Sequence, residues 1–152
     1  DCHPLLRIAE CEGIWRACGH GAAHPALLCA RLHGERLGGW EAAVEVAEGV
    51  LAIEEFNPML RTEALRLLGR AKAALGERAA AREAAERAVA EAAGAKYAWL
   101  EMRSLDDALR WCAEGEAEDV RSRLRSVVGR LAATEAELQL AGVLGEAEGV
   151  VS

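Results

Sequence analysis

Residues 57–94 read NPMLRTEALRLLGRAKAALGERAAAREAAERAVAEAAG and predict two helices joined by a tight turn. Asn57-Pro58 combines a helix N-cap with a proline suited to the first helical position. Ala, Leu, Glu and Arg, which favour helices most strongly, fill nearly all of the rest. The sequence predicts a turn at Leu75-Gly76 and the end of the second helix at Gly94. Because the turn is too short for any other arrangement, the two helices are predicted to lie antiparallel.

The turn of this hairpin recurs on either side of it. Residues 75–85 read LGERAAAREAA and residues 37–47 read LGGWEAAVEVA, so the turn glycine and the small residues after it coincide. A forward shift places Gly76 on Gly115, although this third match is weaker. The sequence therefore predicts three helical hairpins with a period of roughly 38 residues. The predicted units are 24–56, 58–94 and 97–132, flanked by helices at 4–18 and 134–148.

Local signals predict about seven helices and no strand. Apolar residues between positions 8 and 18 recur at a spacing that places them on one helix face, which predicts the first helix. Pro25 is expected to open the second helix. Thr134 with Glu137 forms a capping-box pattern, which predicts a separate last helix. No stretch alternates with the period of two that a strand requires, so the predicted fold class is all-α.

The central hairpin resembles the tetratricopeptide repeat, a helix-turn-helix unit of about 34 residues. Leu65 stands at the first large position of that repeat, Leu68-Gly69 at its Leu-Gly pair and Gly76 at its turn. Ala81 and Ala88 stand at the positions where small residues of the second helix make close contacts. Lys72 and Ala93 depart from the Tyr and Pro usual in the family, and the period is longer. The resemblance covers residues 24–132 and implies an α-solenoid, a right-handed superhelical stack of antiparallel hairpins. In such folds the first helix of each hairpin lines a concave groove that binds peptides.

Small and aromatic residues are assigned to packing between these helices. Gly69 and Ala81 are predicted to lie where the two helices of the central hairpin touch, because a larger residue would push them apart. Trp40 follows the first turn and is predicted to anchor the second helix of its unit. The other tryptophans, Trp15, Trp99 and Trp111, are interpreted as packing residues in preference to a ligand-stacking surface.

Composition narrows the possible partners. The chain carries 25 acidic and 18 basic residues, a net charge of −7, which argues against broad nucleic-acid binding. It lacks an apolar run of the roughly 18 residues that a membrane-spanning helix needs, so no membrane insertion is predicted. Five dispersed cysteines do not form a disulfide framework, and a reducing intracellular compartment is favoured. Because the chain begins with Asp1 and not with Met, we expect it to be a processed chain or a piece of a longer protein.

The sequence contains no catalytic signature, so neither enzymatic activity nor a cofactor is predicted. One alternative is a zinc site, because four soft ligands fall within twelve residues: Cys18, His20, His24 and Cys29. Their spacing matches no standard zinc motif. The preferred interpretation treats the cysteines as small apolar residues and the histidines as residues of a Gly-rich turn.

A candidate groove follows from the helical frame of the second and third units. If these helices pack through their leucines, the residues facing the groove include Arg66, Arg70, Arg103, Asp106 and Arg110. Arginine forks suit carboxylates, so the predicted partner is another protein or peptide, and an acidic one is a candidate. The alternative is that the arginines pair with Glu63 and Asp106 and bind no ligand. Asp106-Asp107 could also mimic a pair of catalytic carboxylates, but a solvated helix face or a favourable charge effect at a helix N-terminus is the preferred interpretation.

The predicted function is a scaffold or adaptor for protein–protein interaction that binds a partner segment in its concave groove. Two alternatives remain open. The chain could be a structural subunit or linker within a large multi-subunit assembly, where neighbours cover most of the stack. It could also be the repeat arm of a larger regulatory protein. In each case the chain is expected to act as part of a complex.

Overall fold

The computed structural model describes residues 20–52 and 57–149, with side chains over 25–52 and 57–136. This part of the chain contains no strand, so the all-α prediction is confirmed. Its helices are α1 (His20–Leu37), α2 (Trp40–Leu51), α3 (Pro58–Ala74), α4 (Arg78–Gly94), α5 (Ala98–Trp111) and α6 (Ala117–Gly149). A short 3-10 turn, Glu114–Glu116, precedes α6. The predicted helix at 4–18 lies outside the described residues.

The start of α3 follows its sequence signals. The side chain of Asn57 accepts a hydrogen bond from the backbone N–H of Met59 at 2.9 Å, and Pro58 occupies the first helical position. The carboxamide thereby satisfies one of the N–H groups that a helix start leaves without a partner. The predicted cap at Asn57-Pro58 is confirmed.

Backbone in the left-handed region closes the turns after α1, α3 and α4. Gly38, Gly76 and Lys96 have φ values of 72°, 85° and 61°. Beside Gly76, the N–H of Glu77 donates to the carbonyl of Lys72 at 2.8 Å, which is the Schellman arrangement. Glycine adopts this conformation freely, whereas Lys96 does so at a cost of about 1–2 kcal/mol. These short turns hold consecutive helices antiparallel.

The start of α1 differs from the prediction. The helix begins at His20, and Pro25 lies inside it. Because proline has no N–H, it leaves the carbonyl of Gly21 without its usual helical partner. Pro25 is the sixth residue of the helix, beyond the first position that suits proline, and the helix continues through it despite the lost hydrogen bond.

The end of the chain also differs, because α6 runs through position 134 without a break. The predicted capping box at Thr134 is therefore wrong. A capping hydroxyl accepts a hydrogen bond from an N–H further along the helix, whereas the Thr134 hydroxyl donates back to the Arg130 carbonyl at 3.0 Å. Ala132, Ala133 and their neighbours are strong helix formers, so nothing local ends the helix here.

α3 lies at the centre of the fold. It contacts α2 and α4, its neighbours along the chain, and also α1 and α5. The first helices of successive hairpins, α1, α3 and α5, therefore lie side by side. With helices on so many sides, α3 buries residues around most of its circumference, namely Leu60, Thr62, Ala64, Leu65, Arg66, Leu67, Leu68, Gly69 and Ala71.

Two apolar clusters form the core. The first joins α1, α2 and α3 with Ala84 of α4 and includes the fully buried Val50, with the half-buried Trp40 packed against it. The second joins α4, α5 and α6 around Leu105 and Val127. Burying a side chain of this size stabilises a fold by about 1.5–3 kcal/mol. Alanines fill much of both clusters, which lets the helices approach closely.

Gly69 on α3 lies at a close contact between helices. A Cβ atom at this position would lie 2.7 Å from the ring of Trp111 and 3.2 Å from the carbonyl oxygen of Ala81. The structure thus brings together Gly69 and Ala81, the pair that the sequence assigns to the contact within the hairpin. Ala81 and Ala88 are fully buried on the inner face of α4.

None of the described helices combines the length and apolar character needed to cross a bilayer.

Candidate functional site

A groove of about 380 Å³ crosses α5, with α3 on one side and α6 on the other. Its lining comes from three helices: Arg66 and Arg70 of α3, Met102, Arg103, Asp106, Asp107 and Arg110 of α5, and Leu124 and Val128 of α6. All five residues that the sequence assigns to a partner groove therefore lie at this one surface. Spacings of three or four residues explain the grouping, because they place side chains on one face of each helix.

Arg66 forms a buried ion pair at the base of the groove. Its Nε donates to the carboxylate of Asp107 at 2.7 Å, and its Nη1 lies 3.3 Å from the carboxylate of Glu63. The side chains of Arg66 and Asp107 are only 6% and 2% exposed. The interpretation of Asp107 as a residue of a solvated face is wrong, because α5 packs against α3 at this point. For the same reason, Arg66 is not an accessible, unpaired cation in the groove.

The remaining arginines of the groove differ in their partners. Arg70 pairs with Glu35 of α1 at 3.1 Å, and Arg110 pairs with Asp106 at 2.7 Å. Both pairs are accessible to solvent, Arg110 more so than Arg70. The alternative in which groove arginines pair with Glu63 and Asp106 therefore describes the observed contacts of Arg66 and Arg110.

Arg103 has no ion-pair or hydrogen-bond partner among the described residues. Its side chain is half-buried, beside the half-buried Met102. Across the groove α6 contributes Leu124, which is half-buried, and Val128, which is 46% exposed. The groove therefore combines an unpaired guanidinium group with accessible apolar side chains.

A smaller cleft of about 60 Å³ lies between α1 and α3 on the other side of Arg66 and Arg70. Leu28 and Arg31 of α1 line it, together with residues of α3. Leu28 is 43% exposed. Because Arg66 and Arg70 line both concavities, the two lie next to each other along the row of α1, α3 and α5.

Sequence reasoning missed two features of this site. One is Asp107, which shares a helix face with Leu100 and Ala108; a carboxylate at an apolar position signals a buried partner. The other is the contribution of α6, because the sequence prediction built the groove only from the first helix of each hairpin. The apolar spacing of Val120, Leu124 and Val127 could have indicated it.

The structure also corrects the prediction for the residues of the alternative zinc site. His20 and His24 lie in α1 and not in a Gly-rich turn. Cys29 is five positions after His24, which rotates it by about 140° around the helix at 3.6 residues per turn. Cys29 is a half-buried free thiol, and Cys18 lies outside the described residues. No cluster of potential metal ligands occurs where the structure describes the side chains.

The tryptophans divide between core and surface. Trp40 is half-buried and its indole lies against Gly34, while Trp111 packs against the second core cluster and Gly69. Trp99 is 58% exposed near the start of α5, so its assignment to packing between hairpins is wrong. Trp15 lies outside the described residues.

Comparisons of this chain with protein-family models, with curated proteins and with solved structures find no match.

Proposed function

We propose that this chain is a scaffold for protein–protein interaction that binds a segment of a partner in the groove on α3, α5 and α6. The observation that carries the proposal is the lining of that groove. Four arginines and three apolar side chains converge there, on a chain whose net charge is −7. Because Arg66, Arg70 and Arg110 already pair with carboxylates, the remaining positive charge is that of Arg103, which favours a partner segment that is only partly acidic.

The arrangement of helices supports the same proposal. α1, α3 and α5 lie side by side, as the first helices of tetratricopeptide-type hairpins do. In the proposal they continue into a right-handed superhelical stack, whose inner surface holds an extended or helical segment of the partner. The described lining of the groove contains guanidinium groups, carboxylates and apolar side chains, a combination that suits the binding of a peptide segment.

A selection of displayed random peptides, followed by two matched variants, tests the proposal. Val128→Glu introduces a charge into the groove, whereas Ala90→Glu introduces the same charge on the exposed side of α4. Selected peptides should bind the wild type and the Ala90→Glu variant alike and bind the Val128→Glu variant at least about tenfold more weakly. Equal binding to all three proteins would show that the groove is not the binding surface.

A structural subunit of a larger assembly is the second candidate, and specific observations favour it. Trp99 is 58% exposed and Leu37 is 73% exposed, and neither lines the groove. α6 has 33 residues and spans about 50 Å, against about 21 Å for the 14 residues of α5. Residues 132–136 of α6 are exposed. If neighbours in an assembly cover these surfaces, Trp99→Ser should weaken a stoichiometric complex that Val128→Glu leaves intact.

A further inference from the structure

The groove offers one positive charge that the protein does not itself neutralise. Its lining contains the guanidinium groups of Arg66, Arg70, Arg103 and Arg110. Arg66 is committed to Asp107, Arg70 to Glu35 and Arg110 to Asp106, at distances of 2.7, 3.1 and 2.7 Å. Only Arg103 in this lining has no such partner among the described residues.

Carboxylates already present in the groove disfavour a strongly acidic ligand. Asp106 is 52% exposed and stays beside Arg110, so a second carboxylate placed there would meet a like charge. A carboxylate of an acidic run that reached Arg70 would have to share the guanidinium group with Glu35, which already lies 3.1 Å away. At both places the new carboxylate would lie close to one of like charge, which reduces the gain. Only at Arg103 does a partner meet a guanidinium group of the lining that has no ion-pair partner among the described residues.

The surroundings of Arg103 favour an apolar ligand on either side of that charge. Met102 is adjacent to it on α5, and Leu124 and Val128 face the groove from α6. Methionine adapts its unbranched side chain to different apolar shapes, which suits a site that receives a partner segment. The exposed part of Val128 would lose its contact with water when such a segment binds.

We infer that the groove recognises a single carboxylate carried by an apolar segment, and that Arg103 is the residue that receives it. The inference rests on the proposed function of the groove and specifies the partner's chemistry. Apolar side chains of the segment contact Met102, Leu124 and Val128, and one Asp or Glu side chain pairs with Arg103. Arg66 positions the groove through its ion pair to Asp107 and does not contact the partner.

Synthetic helical peptides of fifteen residues, labelled with fluorescein, provide the probe. All carry the same leucine stripe, and a single Glu occupies one of four positions beside the stripe. Each peptide has a twin with Gln at that position. One further peptide carries Glu at all four positions, and another replaces the leucines by Ser. Fluorescence anisotropy measures the affinity for the wild-type protein, for Arg103→Gln and for Arg87→Gln, which changes an exposed arginine of α4 outside the groove.

The wild type should bind one single-Glu peptide about three- to fivefold more tightly than its Gln twin, as expected for an accessible ion pair. Arg103→Gln should abolish this preference, while both twins still bind through their leucines. Arg87→Gln should retain it. The peptide with four Glu residues should bind no more tightly than the best single-Glu peptide, and the Ser peptide should not bind. High salt should reduce the preference for Glu.

Two kinds of result would overturn the inference. If the Glu and Gln twins bind the wild type equally, or if Arg103→Gln keeps the preference, the recognised chemistry is wrong. The groove proposal then still stands, provided that Val128→Glu weakens both twins. If no peptide binds, or if Val128→Glu weakens none, the proposed function fails and the inference fails with it. Tighter binding of the peptide with four Glu residues would show that the groove prefers acidic runs.

Discussion

Replacing Arg66 by Met should destabilise the protein more than the replacement of any other arginine in the groove. The Arg66 Nε lies 2.7 Å from the Asp107 carboxylate, and the two side chains are 6% and 2% exposed. At an effective dielectric constant of about 20, this separation corresponds to a gross attraction of about 6 kcal/mol, much of which offsets the desolvation of both groups. Methionine fills a similar volume but leaves the Asp107 carboxylate buried without its partner. The expected loss of stability is about 3–5 kcal/mol.

Urea denaturation followed by circular dichroism at 222 nm measures this loss. A change of 3–5 kcal/mol should lower the midpoint by about 2 M. Arg110→Met is the matched control, because Arg110 and Asp106 also lie 2.7 Å apart but are 60% and 52% exposed. An exposed pair at i,i+4 contributes only about 0.3–0.5 kcal/mol, so the control should barely move the midpoint. Burial is then the variable that separates the two substitutions.

The double variant Arg66→Met, Asp107→Leu separates the loss of the pair from the cost of an uncompensated charge. Replacing both partners by apolar residues removes the buried carboxylate, so the double variant should be more stable than Arg66→Met alone. If Arg66→Met costs less than about 1 kcal/mol, or no more than Arg110→Met does, the buried pair does not hold α3 against α5. An equally unstable double variant would also contradict the reasoning.

Two further predictions concern packing and charge. Gly69→Ala should lower the free energy of unfolding, measured by urea denaturation, by about 1–2 kcal/mol, because its Cβ would meet the ring of Trp111. The better helix propensity of Ala offsets only part of that clash. Gly129→Ala, with open space around it, should instead stabilise the protein by up to about 1 kcal/mol. The hydrogen bond from Arg125, 2.6 Å away, and its positive charge hold the pKa of Glu118 below its ordinary value of 4.5. Because the pKa is lowered in the folded state, the contribution of Glu118 to stability is present above pH 4.5 and is lost as the pH falls through the folded-state pKa. Titration of the Glu118 carboxyl signal by NMR should show this lowered pKa, and Arg125→Gln should raise it; an unchanged pKa in that variant would rule out Arg125 as the cause.

Helix content and turns could be predicted from the sequence because they depend on neighbours along the chain. Asn57-Pro58 caps α3 through contacts two residues apart, and Gly76 turns the chain because glycine adopts a positive φ without strain. The repeat of the turn at Gly38 reflects the same local requirement. Local signals misled where a stronger tendency overrode them: α6 continues through Thr134 because the residues around it favour a helix.

The tertiary structure decided which charges are buried and which remain available. Arg66 and Asp107 are 41 residues apart, and nothing local indicates that they meet. Their burial depends on the packing of α5 against α3, two helices that α4 separates in sequence. The sequence by itself determined that arginines share a helix face, since that follows from spacing. Which of them lacks an ion-pair partner was decided by acids on other turns and other helices, so Arg103 could be distinguished only in three dimensions.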